Sequence, residues 1–231
     1  MASNIRTLNQ AIASTNALYE GDSDAPASGE EDFIVWTALL NLGINIWENE
    51  EGMLWKELFT SLANNSTGGV TTTTADTYSY ATPTAFRFPA SGYVWTGSGD
   101  SKTPYKVIPQ EDIQLYENNG GNWCYFLMDT TPTLEFNPNC HLTTGDTISY
   151  LYYKFATGFT DAATGSETFE MSDPGFAVYY ALSELKKEEG DVSALSIAQQ
   201  KLEAMKVKNM QNVDWEDITF KPKTHNVGFG A

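Results

Sequence analysis

Between Glu30 and Leu62 apolar or small residues recur every three or four positions: Phe33, Trp36, Leu40, Gly43, Trp47, Leu54, Leu58 and Leu62. Such a stripe marks a helix with one buried face. Ser28, with Glu31 three residues on, supplies a capping-box pattern ahead of it. The spacing therefore predicts a helix over 30–62, bent near Gly52 and reaching about 50 Å at the usual rise per residue. A shorter helix over 4–19 is predicted from Ile5, Leu8, Ile12 and Tyr19, and the small, acidic segment EGDSDAPASG (20–29) ends it.

The rhythm then changes. NNSTGGVTTTTADT (64–77) is a low-complexity spacer and reads as a loop. From 78 to 155 the pattern is one of strands and turns. FRF (86–88) and YVW (93–95) flank PASG as in a hairpin, and YKVIP (105–109) and IQLYE (113–117) lead to the turn Asn118-Asn119-Gly120-Gly121. WCYFLMD (123–129) is expected to pair across that turn. TISYLYYKF (147–155) alternates Ile148, Tyr150 and Tyr152 against Leu151, Tyr153 and Phe155, a strand with two distinct faces. These segments predict an antiparallel sheet or small barrel.

Helical spacing returns after a loop over 156–172. Asp173 is placed to cap a helix with Pro174 in its first turn, where a missing N–H costs nothing. Phe176, Tyr179, Tyr180, Leu182 and Leu185 would form its buried face. Asp191 or Ser193 would cap a last helix with the stripe Leu195, Ala198, Leu202 and Met205. The segment VDWEDITFKPKTHNVGFGA (213–231) has no period and reads as an extended arm. The expected fold is thus α+β: a helical bundle formed by N- and C-terminal helices, with a large antiparallel β insertion. Its parts are 1–63 and 173–212 for the bundle, 64–172 for the insertion and 213–231 for the arm.

Charge narrows the function. Thirteen Lys and Arg against thirty Asp and Glu leave a net −17 over 231 residues, a field that repels phosphate backbones. The excess is uneven: residues 1–60 hold ten acids and only Arg6 and Lys56, whereas 201–231 hold five Lys and four acids. Cys124 and Cys140 lie in the strand-rich middle. Two reduced, half-buried thiols are the simpler reading, and a disulfide closing that loop would contribute roughly 3 kcal/mol. Neither a signal-type apolar run nor a stretch of about 20 apolar residues occurs, so a cytoplasmically made protein outside the membrane is expected.

Candidate chemistry is sparse. Gly21-Asp22-Ser23 resembles an esterase nucleophile block, but only two histidines are present, His141 and His225, and neither has an Asp three residues before it. His141 next to Cys140 lacks further ligands close in sequence, so no metal site is expected. The acid pairs Glu30-Glu31-Asp32, Glu50-Glu51, Glu188-Glu189 and Glu216-Asp217 fit solvated helix ends better than carboxyls held across a cleft. Tyr93, Trp95, Tyr116, Trp123, Tyr125, Tyr150 and Tyr152 could stack on sugars, though sheet core is the commoner role. No phosphate loop or dinucleotide fingerprint is present, so neither a catalytic residue nor a cofactor is expected.

Three segments together resemble the head-to-tail adaptor (connector, or head-completion) proteins of tailed bacteriophages. They are the aromatic-anchored EEDFIVWTALLNLGINIWENEEGMLWKELF, the strand TISYLYYKFATGFTDA, and the closing MSDPGFAVYYALSELKKEEGDVSALSIAQQKLEAMKVKNMQ. The resemblance implies a non-enzymatic structural protein of the virion neck. It would form a ring, typically of twelve copies, beneath the portal protein, linking capsid to tail (stopper or nozzle) proteins, with double-stranded DNA passing through unbound. On that view Phe33, Trp36, Trp47 and Trp55 belong to the helix that packs subunits together. Trp215, Ile218, Phe220, Lys221, Lys223 and Phe229 belong to an arm that binds the portal. The large Thr- and Tyr-rich insertion departs from compact adaptors. The rival readings are a carbohydrate- or receptor-binding β module, resting on the β-region aromatics, and a hydrolase with a concealed site.

Overall fold

The computed structural model describes residues 5–61, 72–97, 101–118, 120–190 and 192–219, with side chains to Met210. Among them are five α-helices and nine strands: α1 (Leu8–Tyr19), α2 (Glu31–Glu48), β1 (Phe59–Ser61), β2 (Ser79–Ala81), β3 (Phe86–Pro89), β4 (Tyr93–Thr96), β5 (Thr103–Val107), α3 (Ile113–Tyr116), β6 (Trp123–Leu127), β7 (Thr133–Phe136), β8 (Ile148–Ser149), β9 (Leu151–Lys154), α4 (Gly175–Leu185) and α5 (Ser193–Thr219). The strands make a curled six-stranded sheet, β2-β7-β6-β5-β4-β8, and a three-stranded sheet, β1-β9-β3. This overturns the expected fold class. The two sheets dominate the architecture, and no helical bundle carrying an antiparallel insertion organises it.

The first cause lies at the end of α2. The helix stops at Glu48 and does not run to 62. Gly52 takes φ +74°, which breaks the helical path, and the chain reverses. Trp55 stacks on Trp47 at 5.2 Å and donates its indole N–H to the Trp47 carbonyl at 2.6 Å. Eight residues of continuous helix would hold these rings about 12 Å apart. The backbone groups freed by the turn are met from α5: the Asn209 amide donates to the Leu54 carbonyl (2.8 Å) and accepts from the Lys56 N–H (3.2 Å). The residues expected to finish the helix instead form a 3₁₀ turn, Lys56–Leu58, and β1. The capping box also differs. Ser28 donates to the Ala163 carbonyl at 2.6 Å and does not cap α2, while Thr7 and Gln10 form a reciprocal box at the start of α1.

Two strand pairings differ from expectation. FRF and YVW do not form a hairpin; β3 pairs with β9, and β4 with β5 and β8. IQLY is the short helix α3. It carries the chain over from β5 to β6, which therefore pair in parallel, Lys106 opposite Trp123 and Val107 opposite Cys124. The predicted strand 147–155 divides at Tyr150 between the two sheets, although its alternation holds: Ile148, Tyr150 and Tyr152 are buried. Their rings join one aromatic core, with Phe86–Phe126 at 5.0 Å, Phe126–Tyr150 at 5.2 Å and Tyr105–Phe136 at 4.9 Å.

By contacts the chain divides into two units, Leu58–Ala156, which holds both sheets, and Met1–Glu57 with Thr157–Ala231, which holds α1, α2, α4 and α5. In the second unit α4 packs against α1, α2 and α5. Asp173 Oδ1 accepts the Gly175 N–H at 3.0 Å ahead of α4, and Phe176, Val178, Ala181 and Leu182 are buried. A Cβ at Gly43 would lie 2.9 Å from the Ala177 Cα, so the absence of a side chain there lets α2 and α4 approach closely. On α5 the buried stripe is Ala194, Ala198, Leu202, Met205 and Asn209, with Leu195 turned outward. Asp191 lies outside the described residues. The extended arm is corrected in part: α5 continues as helix to Thr219.

Candidate assembly surfaces

Helix α2 has two apolar faces, and they have different fates. Residues 33–47 contain no charged side chain, so helical geometry places apolar groups on every side. Phe33, Trp36, Trp47 and Trp55, expected to pack one subunit on another, are buried inside the chain's own helical unit, none more than 6% exposed. Their rings are taken up by packing within the chain itself. The opposite face carries Ile34, Val35, Leu42 and Ile46, each 37–46% exposed. Spacings of seven (Val35 to Leu42), eight (Ile34 to Leu42) and four (Leu42 to Ile46) put them on one face. The buried stripe has the same period, so spacing alone does not set these residues apart. The signal that could have found them is the uncharged run itself, since a helix with one wet face normally charges that face.

A second exposed apolar surface lies on the three-stranded sheet. Phe86 and Tyr152 face the core, so alternation turns Phe59, Tyr153 and Phe155 outward. A bulge between Phe86 and Phe88 sets Phe88 opposite Tyr153. Phe59 meets Tyr153 edge-on at 5.6 Å, and Phe88 lies 5.2 Å from the same ring. The Arg87 guanidinium sits 5.7 Å from the Phe88 and Phe155 ring centres. Aromatic rings beside an Arg are the composition favoured at protein interfaces.

The residues weighed for chemistry do not converge. Ser23 and His141 are exposed, and they belong to different units. Among the described residues no group of three potential ligands could hold a metal ion. Glu50 pairs with Lys206, which also meets Glu203 at 2.8 Å. These carboxylates, Glu203 first, hold the ammonium above its ordinary value. Cys124 and Cys140 are free and buried, and burial pushes both thiols up. Of the seven β-region aromatics, Trp123, Tyr150 and Tyr152 are buried, Trp95, Tyr116 and Tyr125 half-buried, and Tyr93 is exposed; Tyr93 and Trp95 lie 6.3 Å apart, as do Tyr116 and Trp123.

The helical unit also holds an open groove of about 730 Å³ lined by Ile5, Leu18, Val178, Tyr179, Lys201 and Met205. Its charges are already engaged: Lys201 binds Asp173 at 2.9 Å and lies over the Tyr179 ring. A scan against protein-family models found no match, and a search of curated proteins found none. Among the described residues no helix is long and apolar enough to cross a membrane. Of the expected portal-binding residues, Trp215 and Ile218 fall on the last turns of α5, their side chains outside the described residues, and Phe220, Lys221, Lys223 and Phe229 lie outside them altogether.

Proposed function

We propose that this chain is a non-enzymatic structural protein of a virion neck: a head-to-tail adaptor that assembles as a ring under the portal protein and joins capsid to tail. The observation that carries the reading is the uncharged outer face of α2. A chain of net −17 that leaves Ile34, Val35, Leu42 and Ile46 in water has kept apolar surface beyond what one subunit's folding uses. A closed ring of copies would bury such surface. The charge supports the same reading: twelve copies would set roughly 200 net negative charges around a channel, so a duplex would slide through without adhering. The α5 C-terminus, residues 211–219, leads into the least acidic part of the chain, which would dock on the portal.

The test is to mix the purified protein with the portal protein encoded by the same genome and image the mixture by electron microscopy. Rings stacked on the portal are expected. Deleting 220–231, and separately 213–231, should abolish docking while the circular dichroism of the helical unit persists. A particle that stays monomeric and ignores the portal would overturn the reading; docking that survives both deletions would move the contact away from the C-terminus.

A further inference from the structure

Two exposed surfaces remain that differ in kind and match in chemistry. The outer stripe of α2 is aliphatic, and at its N-terminal end stand the exposed acids Glu31 and Asp32. The outer face of the three-stranded sheet is aromatic, with Phe59 39% and Phe155 47% exposed. The strands β1, β3 and β9 contain two cations, Arg87 and Lys154, and no acid, in a chain where acids outnumber bases thirty to thirteen.

We propose that the outer face of α2 is covered by the β1-β9-β3 sheet of a second copy of this chain. The argument begins with repulsion. Two copies of net −17 can touch closely only where acids are excluded from the contact or matched by cations. The stripe excludes charge, and the sheet face excludes acids and supplies Arg87. Laying the sheet over the helix puts Phe59, Phe88, Tyr153 and Phe155 against Ile34, Val35, Leu42 and Ile46. It brings Arg87 toward Glu31 and Asp32. Stripe against stripe, the alternative for the same occupant, would set Glu31 and Asp32 of both copies together in a parallel arrangement and beside the exposed Glu51 that follows α2 in an antiparallel one.

The two surfaces are unlike, so the contact is head-to-tail. Each copy offers a helix to one neighbour and a sheet to the other, and such a contact closes into a ring or runs on as a filament. The proposal rests on the adaptor reading for closure, but the contact itself can be tested apart from the portal.

The experiment uses full-length chains carrying Val35→Cys or Phe155→Cys, both at exposed positions, with circular dichroism and thermal melts to show that each variant folds as the parent does. The variants are cross-linked alone and mixed, with a short bismaleimide, at a concentration where sedimentation shows oligomers. The mixture should give a covalent dimer and neither variant alone should. Arg87→Glu should raise the concentration needed for assembly by about tenfold, and mixing it with Glu31→Lys/Asp32→Lys chains should restore much of the loss. A dimer from Val35→Cys alone, or none from the mixture while oligomers are present, overturns the contact. A chain monomeric at every concentration also overturns it, whereas the adaptor reading is judged separately by binding to the portal.

Discussion

Strands of the β unit alternate, and the alternation is used once: Ile148, Tyr150 and Tyr152 go in, and Leu151, Tyr153 and Phe155 go out. In the helical unit α2 is apolar on both sides, with Trp36 and Leu40 inside and Val35 and Leu42 outside. A period of two spends one side chain in each direction, so a sheet that packs on one face exposes what its outward residues happen to be. A helix with fifteen uncharged residues in succession has no charged side to turn to water, and Asn45 is the one exposed polar residue in that run. In the β unit the exposed apolar side chains are spread over separate elements, Phe59 on β1, Tyr93 on β4, Leu115 on α3 and Met128 after β6, whereas on α2 four of them line a single helix.

The largest effect is expected in the aromatic core of the β unit. Phe86 joins the two sheets by stacking on Phe126 and contacting Tyr150 and Tyr152. Phe86→Ala should cost about 3–5 kcal/mol, read in the urea midpoint. Amide exchange should speed up within 58–156 and less in the helical unit. An equal loss of protection in both would mean that the two units unfold as one.

The matching test in the helical unit is Gly43→Val. A side chain there meets the Ala177 backbone, and overpacking of this kind costs typically about 1–3 kcal/mol. Asn209→Ala removes the part-buried bonds to Leu54 and Lys56 and should cost about 1–3 kcal/mol, at roughly 0.5–1.5 kcal/mol for each bond. Denaturation followed by Trp fluorescence measures both, since Trp47 and Trp55 lie beside the turn that Asn209 holds.

Smaller still for folding, and larger for assembly, is the stripe. Replacing Ile34, Leu42 and Ile46 by Ser should change stability by no more than about 0.5 kcal/mol per site, as exposed positions do. Oligomers in sedimentation should nonetheless vanish. Intact assembly by the triple variant would remove the stripe from consideration.

The least effect concerns acid. Glu167 accepts the Thr164 N–H at 2.9 Å, the Gly165 N–H at 2.8 Å and the Thr164 hydroxyl at 3.1 Å, and these bonds, the Thr164 amide's first, hold its carboxyl below the ordinary value of 4.5. A carboxyl held low contributes stability above that value and loses it as pH falls below. The protection of the Thr164 and Gly165 amides, relative to their intrinsic exchange at each pH, should therefore fall below about pH 4.5 in the parent chain. In Glu167→Gln it should not change across that range.

Much of this was legible in the residues themselves. Alternation marked the faces of 147–155, Asp173-Pro174 marked the start of α4, and spacing marked α1, which the structure begins at Leu8. Strand partners were not legible, because a pattern of two says which way a side chain points and nothing about which strand lies beside it. PASG looked like a hairpin turn, yet it joins strands of different sheets. The stop at Glu48 was hidden for a related reason: Leu54 and Leu58 continue the stripe by number, while Trp55 finds Trp47 only after Gly52 has turned the chain.

The sequence by itself determined the charge, the two kinds of periodicity and the uncharged run of α2, since each is a property of residues and their order. Tertiary structure alone decided which side of α2 was buried and which was left over. Both sides are apolar, so only the positions of α4, pressed close at Gly43, and of the returning Trp55 separate inside from outside. That choice moved the candidate contact from Phe33, Trp36, Trp47 and Trp55 to Ile34, Val35, Leu42 and Ile46.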